Sequence, residues 1–288
     1  MTDDTDGPTA LPAGTRVGRV ALTVGDLDRV LPVYRDALGF DVDREGHRCR
    51  LDAGGRPLVV LVEAPDAPER PPDAAGLFHV AVRVPTRAAL ADALASLREH
   101  GATLTGASDH LVSEALYLRD PEGNGVEVYR DRPRSEWPRT ANGGVEMDTL
   151  PLDLEDLSTA ATGDPTLPAG TDVGHVHLEV TDLAAAESFY VDALGLRVQA
   201  RYGDGATFLA AGDYHHHVGL NVWNGRSAPA TGGRGLRWFE LVLPDEDAVE
   251  AARRRLAAVT EVTTRGGVVR VADPDGTAVR LTSGDGAT

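Results

Sequence analysis

Between His110 and Glu127 the chain carries a histidine, a tyrosine and several acids in a stretch whose patterning dictates where the side chains go. Residues 113–118 alternate as a strand, Asp120-Pro121-Glu122-Gly123 is tight-turn chemistry, and residues 126–129 read as the returning strand. Successive strand residues take opposite faces, so Glu127 stands away from its apolar neighbours Val126 and Val128. A carboxylate in that position needs a partner. Further on, His215-His216-His217 sets three imidazoles in a row, groups that titrate near neutral pH and can take up and return a proton. Cys49 is the only cysteine, which excludes an internal disulfide and a cysteine-held metal cluster within one chain. A metal, if one is held, must be taken by imidazole and carboxylate.

Taken together, His110, five residues, Leu116-Tyr117, two residues, Asp120-Pro121, Gly123 and, after three residues, Glu127 resembles the signature of the extradiol ring-cleavage dioxygenases. Ser108, two places before the histidine, departs from that signature. Residues of roughly 15–283 are similar to the catechol 2,3-dioxygenase branch of the vicinal-oxygen-chelate superfamily, which also holds glyoxalases and bleomycin-resistance proteins. The resemblance implies an α+β fold of four βαβββ modules, forming two cupped mixed β-sheets with flanking helices. In that scaffold each module can offer one ligand on its first strand and another on its last. Module one offers Arg19 and Glu63, and module four offers Trp238 and Arg280; a guanidinium has no lone pair to give. Module two offers His79 and Glu127, and module three offers His175 and the triple histidine.

The resemblance therefore assigns a metal to His79, Glu127 and His175. Two neutral imidazoles and one carboxylate on a single face make the facial triad of non-haem Fe(II) oxygenases, with three positions open. Fe2+ is the expected cofactor, Mn2+ its alternate, and the expected partners are a small aromatic diol and O2. The same resemblance, through a His-His-x-x-Gly-Leu pattern beginning at His215, gives His216 the role of acid and base, with His215 and His217 left open as alternatives. It makes Tyr117 the tyrosine that hydrogen-bonds the substrate or the departing oxygen, and His110 a histidine beside the chelated hydroxyl. His177, two residues beyond His175, and Trp223 are candidate substrate-binding residues. Each has an ordinary alternative: strand histidines satisfied by backbone carbonyls, a packed tyrosine, three histidines on a solvated turn, a tryptophan in the core. Two other functions stay open as well, a glyoxalase-like metal isomerase or lyase with His216 as fourth ligand, and a non-catalytic small-molecule sequestering protein.

The elements that must position these residues follow from a repeat. Residues 15–27 align with 171–183, and Tyr34-Arg35-Asp36-Ala37-Leu38-Gly39 matches Tyr190-Val191-Asp192-Ala193-Leu194-Gly195, so the chain is a duplication. Module one is expected as a strand at 17–24, a helix from Asp26 to about Leu38, and strands near 40–44, 48–52 and 58–63. Module two has a strand at 78–84, a helix over 86–100, a strand around Thr103 and the hairpin. Residues 1–14 read as a mobile arm, 15–130 as a first domain of modules one and two, 131–170 as a linker with a short helix near 153–160, and 171–288 as a second domain of modules three and four. The ligand assignment further predicts that modules two and three share one cup, within one chain or across a dimer, and modules one and four the other.

With 288 residues, 42% of them hydrophobic, the chain can build a real core. No apolar run approaches membrane-span length and no charged-then-apolar leader opens the sequence, so the expectation is a cytoplasmic protein. A net charge of −17 without a basic stripe argues against nucleic acid and anionic membrane as partners; oligomeric state is open. All 28 basic residues are arginine. With the acidity this suggests a protein kept soluble in concentrated salt, where the Debye length shrinks to about 3 Å at 1 M; the alternative is arginine-favouring codon usage with an ordinary acidic surface.

Overall fold

The computed structural model describes residues 10–140, 144–230 and 232–284. Module one comprises β1 (Arg16–Val24), α1 (Leu27–Pro32), β2 (Asp41–Glu45), β3 (Arg48–Ala53) and β4 (Arg56–Glu63); module two comprises β5 (Gly76–Arg83), α2 (Arg87–Glu99), β6 (Leu104–Asp109), β7 (Ser113–Arg119) and β8 (Gly125–Asp131). A connector with β9 (Leu150–Pro151) and α3 (Leu154–Ser158) follows. Module three has β10 (Asp172–Glu179), α4 (Leu183–Glu187), β11 (Arg197–Tyr202), β12 (Ala206–Ala210) and β13 (Val218–Asn221). Module four has β14 (Gly235–Leu243), α5 (Glu246–Ala257), β15 (Thr263–Arg265), β16 (Val268–Ala272) and β17 (Ala278–Ser283). The fold is α+β, with two curled mixed sheets and helices packed on them.

Every module starts its helix with the same device. Asp26, Thr86, Asp182 and Asp245 each hold extended backbone while the side chain accepts a hydrogen bond from the third residue on, satisfying one of the donors that a helix start leaves open. In modules one and three the helix runs on as a widened π turn, at Val33–Ala37 and Ser188–Ala193. These turns bury Tyr34 and Tyr190, whose hydroxyls donate to Asp120 (3.1 Å) and Asp273 (2.9 Å). The acids of the two Asp-Pro turns thus also fasten each odd module to the even module that follows it.

The sheets recombine the halves. One runs β15-β16-β17-β14-β1-β4-β3-β2, joining module four to module one through the antiparallel β1–β14 pair. The other runs β11-β12-β13-β10-β5-β8-β7-β6-β9, joining module three to module two through β10–β5. Modules two and three do share one sheet and modules one and four the other, all within a single chain. Residues 15–130 and 171–288 are units of repetition, while each sheet draws a module from both. The apolar faces of both sheets meet the helices in one continuous core that includes Leu22, Leu61, Leu94, Val128, Leu178 and Leu281.

Two stretches are more ordered than their composition implies. Residues 1–9 of the expected arm lie outside the described residues, but Leu11 is buried and its N–H donates to the Gly195 carbonyl at 2.7 Å. One apolar side chain with a pocket to fill overrides a polar setting. In the expected linker, Asp153 caps α3 as anticipated. Unforeseen were β9, which extends the second sheet against Ser108 and Asp109, and Trp137 and Val145, buried with Val112, Ala210 and Tyr214.

Candidate active site

Strand register alone gathers the site. Directly opposed residues of paired strands project to the same side. His177 opposes His79, His175 opposes Ala81, Ala81 opposes Glu127, and Glu127 opposes Tyr117. On the other flank His177 opposes Gly219, which opposes Phe208. One face of the second sheet therefore carries Phe208, His177, His175, His79, Glu127 and Tyr117 side by side. Gly219 is required there, because a Cβ at that position would fall 2.8 Å from the His177 ring.

On this face Nε2 of His79 lies 2.9 Å from Oε2 of Glu127, Nε2 of His175 lies 3.1 Å from the same oxygen, and the two Nε2 atoms are 3.3 Å apart. All three residues are buried. Donors about 2.1 Å from a common ion stand roughly 3.0 to 3.4 Å apart, according to whether the angle at the ion is octahedral or tetrahedral. The observed spacing fits such an ion. Burial pushes the His175 imidazole down to about 4 despite the opposing pull of Glu127, so the ring is uncharged at neutral pH. Burial would raise the Glu127 carboxyl, but His175 and His79 hold it well below its ordinary range. An uncharged imidazole and an ionised carboxylate are the ligating forms. Nδ1 of His175 is buried without a hydrogen-bond partner among the described residues.

A cavity of about 450 Å³ opens over the three donors, a size suited to a small organic molecule. Its walls include Phe78, His177, Phe208 and Trp223, with His177 5.1 to 5.6 Å from the rings of His79, Phe78, Phe208 and Trp223. Nε2 of His177 is buried without a hydrogen-bond partner among the described residues, and burial holds this imidazole well below its ordinary value. Trp223 is 46% exposed and sits at the rim, outside the core. The triple histidine precedes β13 instead of lying in it, and its three rings diverge. His216 lines the cavity with its ring 4.0 Å from that of His175 and 5.0 Å from Phe208. His215 lies behind it, stacked on Tyr214 at 4.1 Å, with Nε2 2.9 Å from Asp131. His217 turns the other way, where Nδ1 accepts the Ala211 N–H at 3.2 Å and burial pushes its pKa down to about 3.

Tyr117 and His110 form a second polar arm of the cavity. The Asp148 carbonyl accepts from Nδ1 of His110 at 2.7 Å, so in the uncharged ring Nε2 is left as acceptor for the Tyr117 hydroxyl at 2.7 Å. Burial, then the nearby Glu127 carboxylate, hold the Tyr117 hydroxyl well above its ordinary value, so it keeps its proton. Sequence reasoning passed over Phe78 and Phe208, both placed by strand register, and Met147, Asp148 and Thr149 of the connector, which line the cavity with no local pattern to announce it. It also passed over Asp131, since an acid at a strand end reads as solvated.

Residues 16–128 and 172–281 each match the Glyoxalase/Bleomycin resistance protein/Dioxygenase superfamily. The chain is 44% identical over 259 residues to a catechol-2,3-dioxygenase of Bacillus subtilis (strain 168), an alignment covering 86% of this chain and 90% of that protein. Biphenyl-2,3-diol 1,2-dioxygenase 3 of Rhodococcus globerulus is 33% identical over 120 residues, covering 40% of this chain and 63% of that protein. Among solved structures, glyoxalase I from Zea mays shares the fold with a TM-score of 0.58 at 16% identity, over 94% of this chain and 92% of that one. No helix among the described residues is long and apolar enough to cross a membrane. With both repeats matched and a relative this similar along most of its length, the chain belongs to the Glyoxalase/Bleomycin resistance protein/Dioxygenase superfamily.

Proposed function

We propose that this protein is an extradiol ring-cleaving dioxygenase, which takes a catechol-type aromatic diol and O2 and opens the ring at the carbon–carbon bond beside the diol, with both oxygen atoms entering the product. The observation that carries the reading is the cluster of His79, Glu127 and His175 donor atoms at the floor of an aromatic-walled cavity with His216 beside it. The 44% identical relative named catechol-2,3-dioxygenase supports it. In this reading the three residues hold Fe2+, or Mn2+ in its place, and the ion when bound supplies Lewis acidity and a path for electrons. His216, uncharged because burial and the surrounding imidazoles lower its pKa, accepts a proton from a diol hydroxyl and returns it as the ring opens. Tyr117 and His110 offer a hydrogen-bonding pair on the opposite flank. Phe78, His177, Phe208 and Trp223 hold the ring plane.

The donor atoms that converge are those of His79, Glu127 and His175, without His216. That favours three-ligand oxygenase chemistry over an isomerase that would recruit His216 as a fourth ligand. The test is protein loaded anaerobically with Fe2+, mixed with catechol in air and followed for oxygen uptake and a yellow ring-fission product. Stoichiometric uptake with product is expected. Absence of uptake across several substituted catechols, in protein shown to carry the metal, overturns the reading.

A further inference from the structure

We propose that Asp131, acting through His215, sets which nitrogen of His216 carries the proton, and so makes His216 a base toward the cavity. The geometry is a chain of hydrogen bonds. Asp131 ends β8, and its Oδ2 accepts from Arg83 at 2.9 Å and from the Tyr214 hydroxyl at 3.0 Å. Its Oδ1 lies 2.9 Å from Nε2 of His215, and Nδ1 of His215 lies 2.7 Å from Nδ1 of His216. Burial would raise the Asp131 carboxyl, but the bonds from His215 and Arg83 bring it down to about 2, leaving it an acceptor only.

The protons then have one arrangement when both rings are uncharged. An ionised carboxylate can only accept, so His215 carries its proton on Nε2. Its Nδ1 is then the acceptor in the contact with His216, which must donate from its own Nδ1. A neutral imidazole has one N–H, so Nε2 of His216 is left with a lone pair. Arg83 and Tyr214 also hold Asp131 in place, and Tyr129 reaches the same cluster with its hydroxyl 2.8 Å from that of Tyr214. Asp131 and His215 are positioning residues, since only His216 of the three lines the cavity.

This cluster predicts an inversion on replacing Asp131 by asparagine. Arg83 has only donors, so the amide oxygen of Asp131→Asn must stay toward Arg83 and Tyr214, which turns its NH2 toward His215. Nε2 of His215 becomes the acceptor, Nδ1 becomes the donor, and His216 shifts its proton to Nε2. The base becomes a donor with almost no change in shape. The effect on turnover rests on the dioxygenase reading; the proton positions do not.

The experiment uses the full chain, metal-free and ¹⁵N-labelled, at about pH 8, above the ordinary imidazole pKa of about 6.5. Imidazole ¹⁵N shifts should show His216 protonated on Nδ1 in the parent and in Asp131→Glu, and on Nε2 in Asp131→Asn. In the Fe2+-loaded forms, kcat for ring cleavage should drop about 10²- to 10³-fold in Asp131→Asn. KM and metal content should hold, and Asp131→Glu should recover most of the rate. An Nε2-protonated His216 in the parent, or an unchanged tautomer in Asp131→Asn, overturns the proposal. An inverted tautomer in a protein that cleaves no catechol in any form leaves the relay standing and removes the dioxygenase reading instead.

Discussion

The two sheets share a frame and differ in what they hang on it. His177 opposes His79 in one as Ala21 opposes Trp238 in the other, and Ala81 opposes Glu127 as Glu240 opposes Arg280. The places of His175, His79 and Glu127 are thus taken in the first sheet by Arg19, Trp238 and Arg280. Even the place of Tyr117, opposite Glu127, has its counterpart in Arg270, opposite Arg280. Arg19 gives two 2.9 Å bonds to the buried Glu240, and the Arg280 guanidinium lies 3.7 Å over the Trp238 ring. Convergence of side chains is a property of the register. Whether it yields a candidate ligand set or an ion pair and a cation stacked on an aromatic ring depends on which residues occupy it.

The largest test of that contrast is metal content. Replacing His79, Glu127 or His175 by alanine should abolish binding of Fe2+ by the folded protein, while Arg19→Ala and Arg280→Ala should leave it stoichiometric, as metal analysis of the purified variants will show. Full metal in His175→Ala would break the cross-module assignment. Next in size, His216→Ala should keep metal and lose about 10²- to 10⁴-fold in turnover, the contribution of a proton-transfer group. Loss of metal instead would make His216 a ligand.

Acid should separate the sheets as well. No strand of the first sheet contains a histidine among the described residues, whereas His175 and His217 are held down to about 4 and about 3 in and beside the second. Below the ordinary imidazole value of about 6.5 the unfolded chain takes up protons that these folded rings refuse, so stability falls as pH falls. Each buried ring should contribute a slope of roughly 1.4 kcal/mol per pH unit in that window. Urea midpoints of the metal-free protein between pH 7 and 5 should therefore drop, and less steeply in His217→Gln. A flat profile would contradict the burial of these rings as neutral groups. The smallest effect belongs to Tyr117→Phe, about 1 kcal/mol or fivefold in rate for one hydrogen bond; an unaltered rate would return Tyr117 to packing.

Much of this arrangement could be read from one chain because the repeat and the strand alternation are local signals. The pairing of modules was legible from chemistry, since arginines at positions 19 and 280 cannot complete a ligand set. What escaped depended on partners far along the chain. Asp131 meets His215 84 residues away, and nothing near it in the sequence distinguishes it from a solvated acid. Leu11 and the connector residues 147–149 gain their roles from surfaces built elsewhere. The π turns that bury Tyr34 and Tyr190 have no residue signature, although the tyrosines themselves stood out in the repeat.

Exchange of modules between the sheets bears on how the chain is made. Strand β5 waits for β10, with His79 and His175 96 residues apart, and β1 waits for β14, with Arg19 and Glu240 221 apart. At about 5–20 residues per second of synthesis, the inner edge of β1 stays without its neighbour for on the order of 10–40 s. An open, apolar strand edge is a template for the wrong chain as much as for the right one. Nascent first halves on neighbouring ribosomes can therefore pair with each other before either second half has emerged, and the length of the connector sets how soon the intended strand can compete.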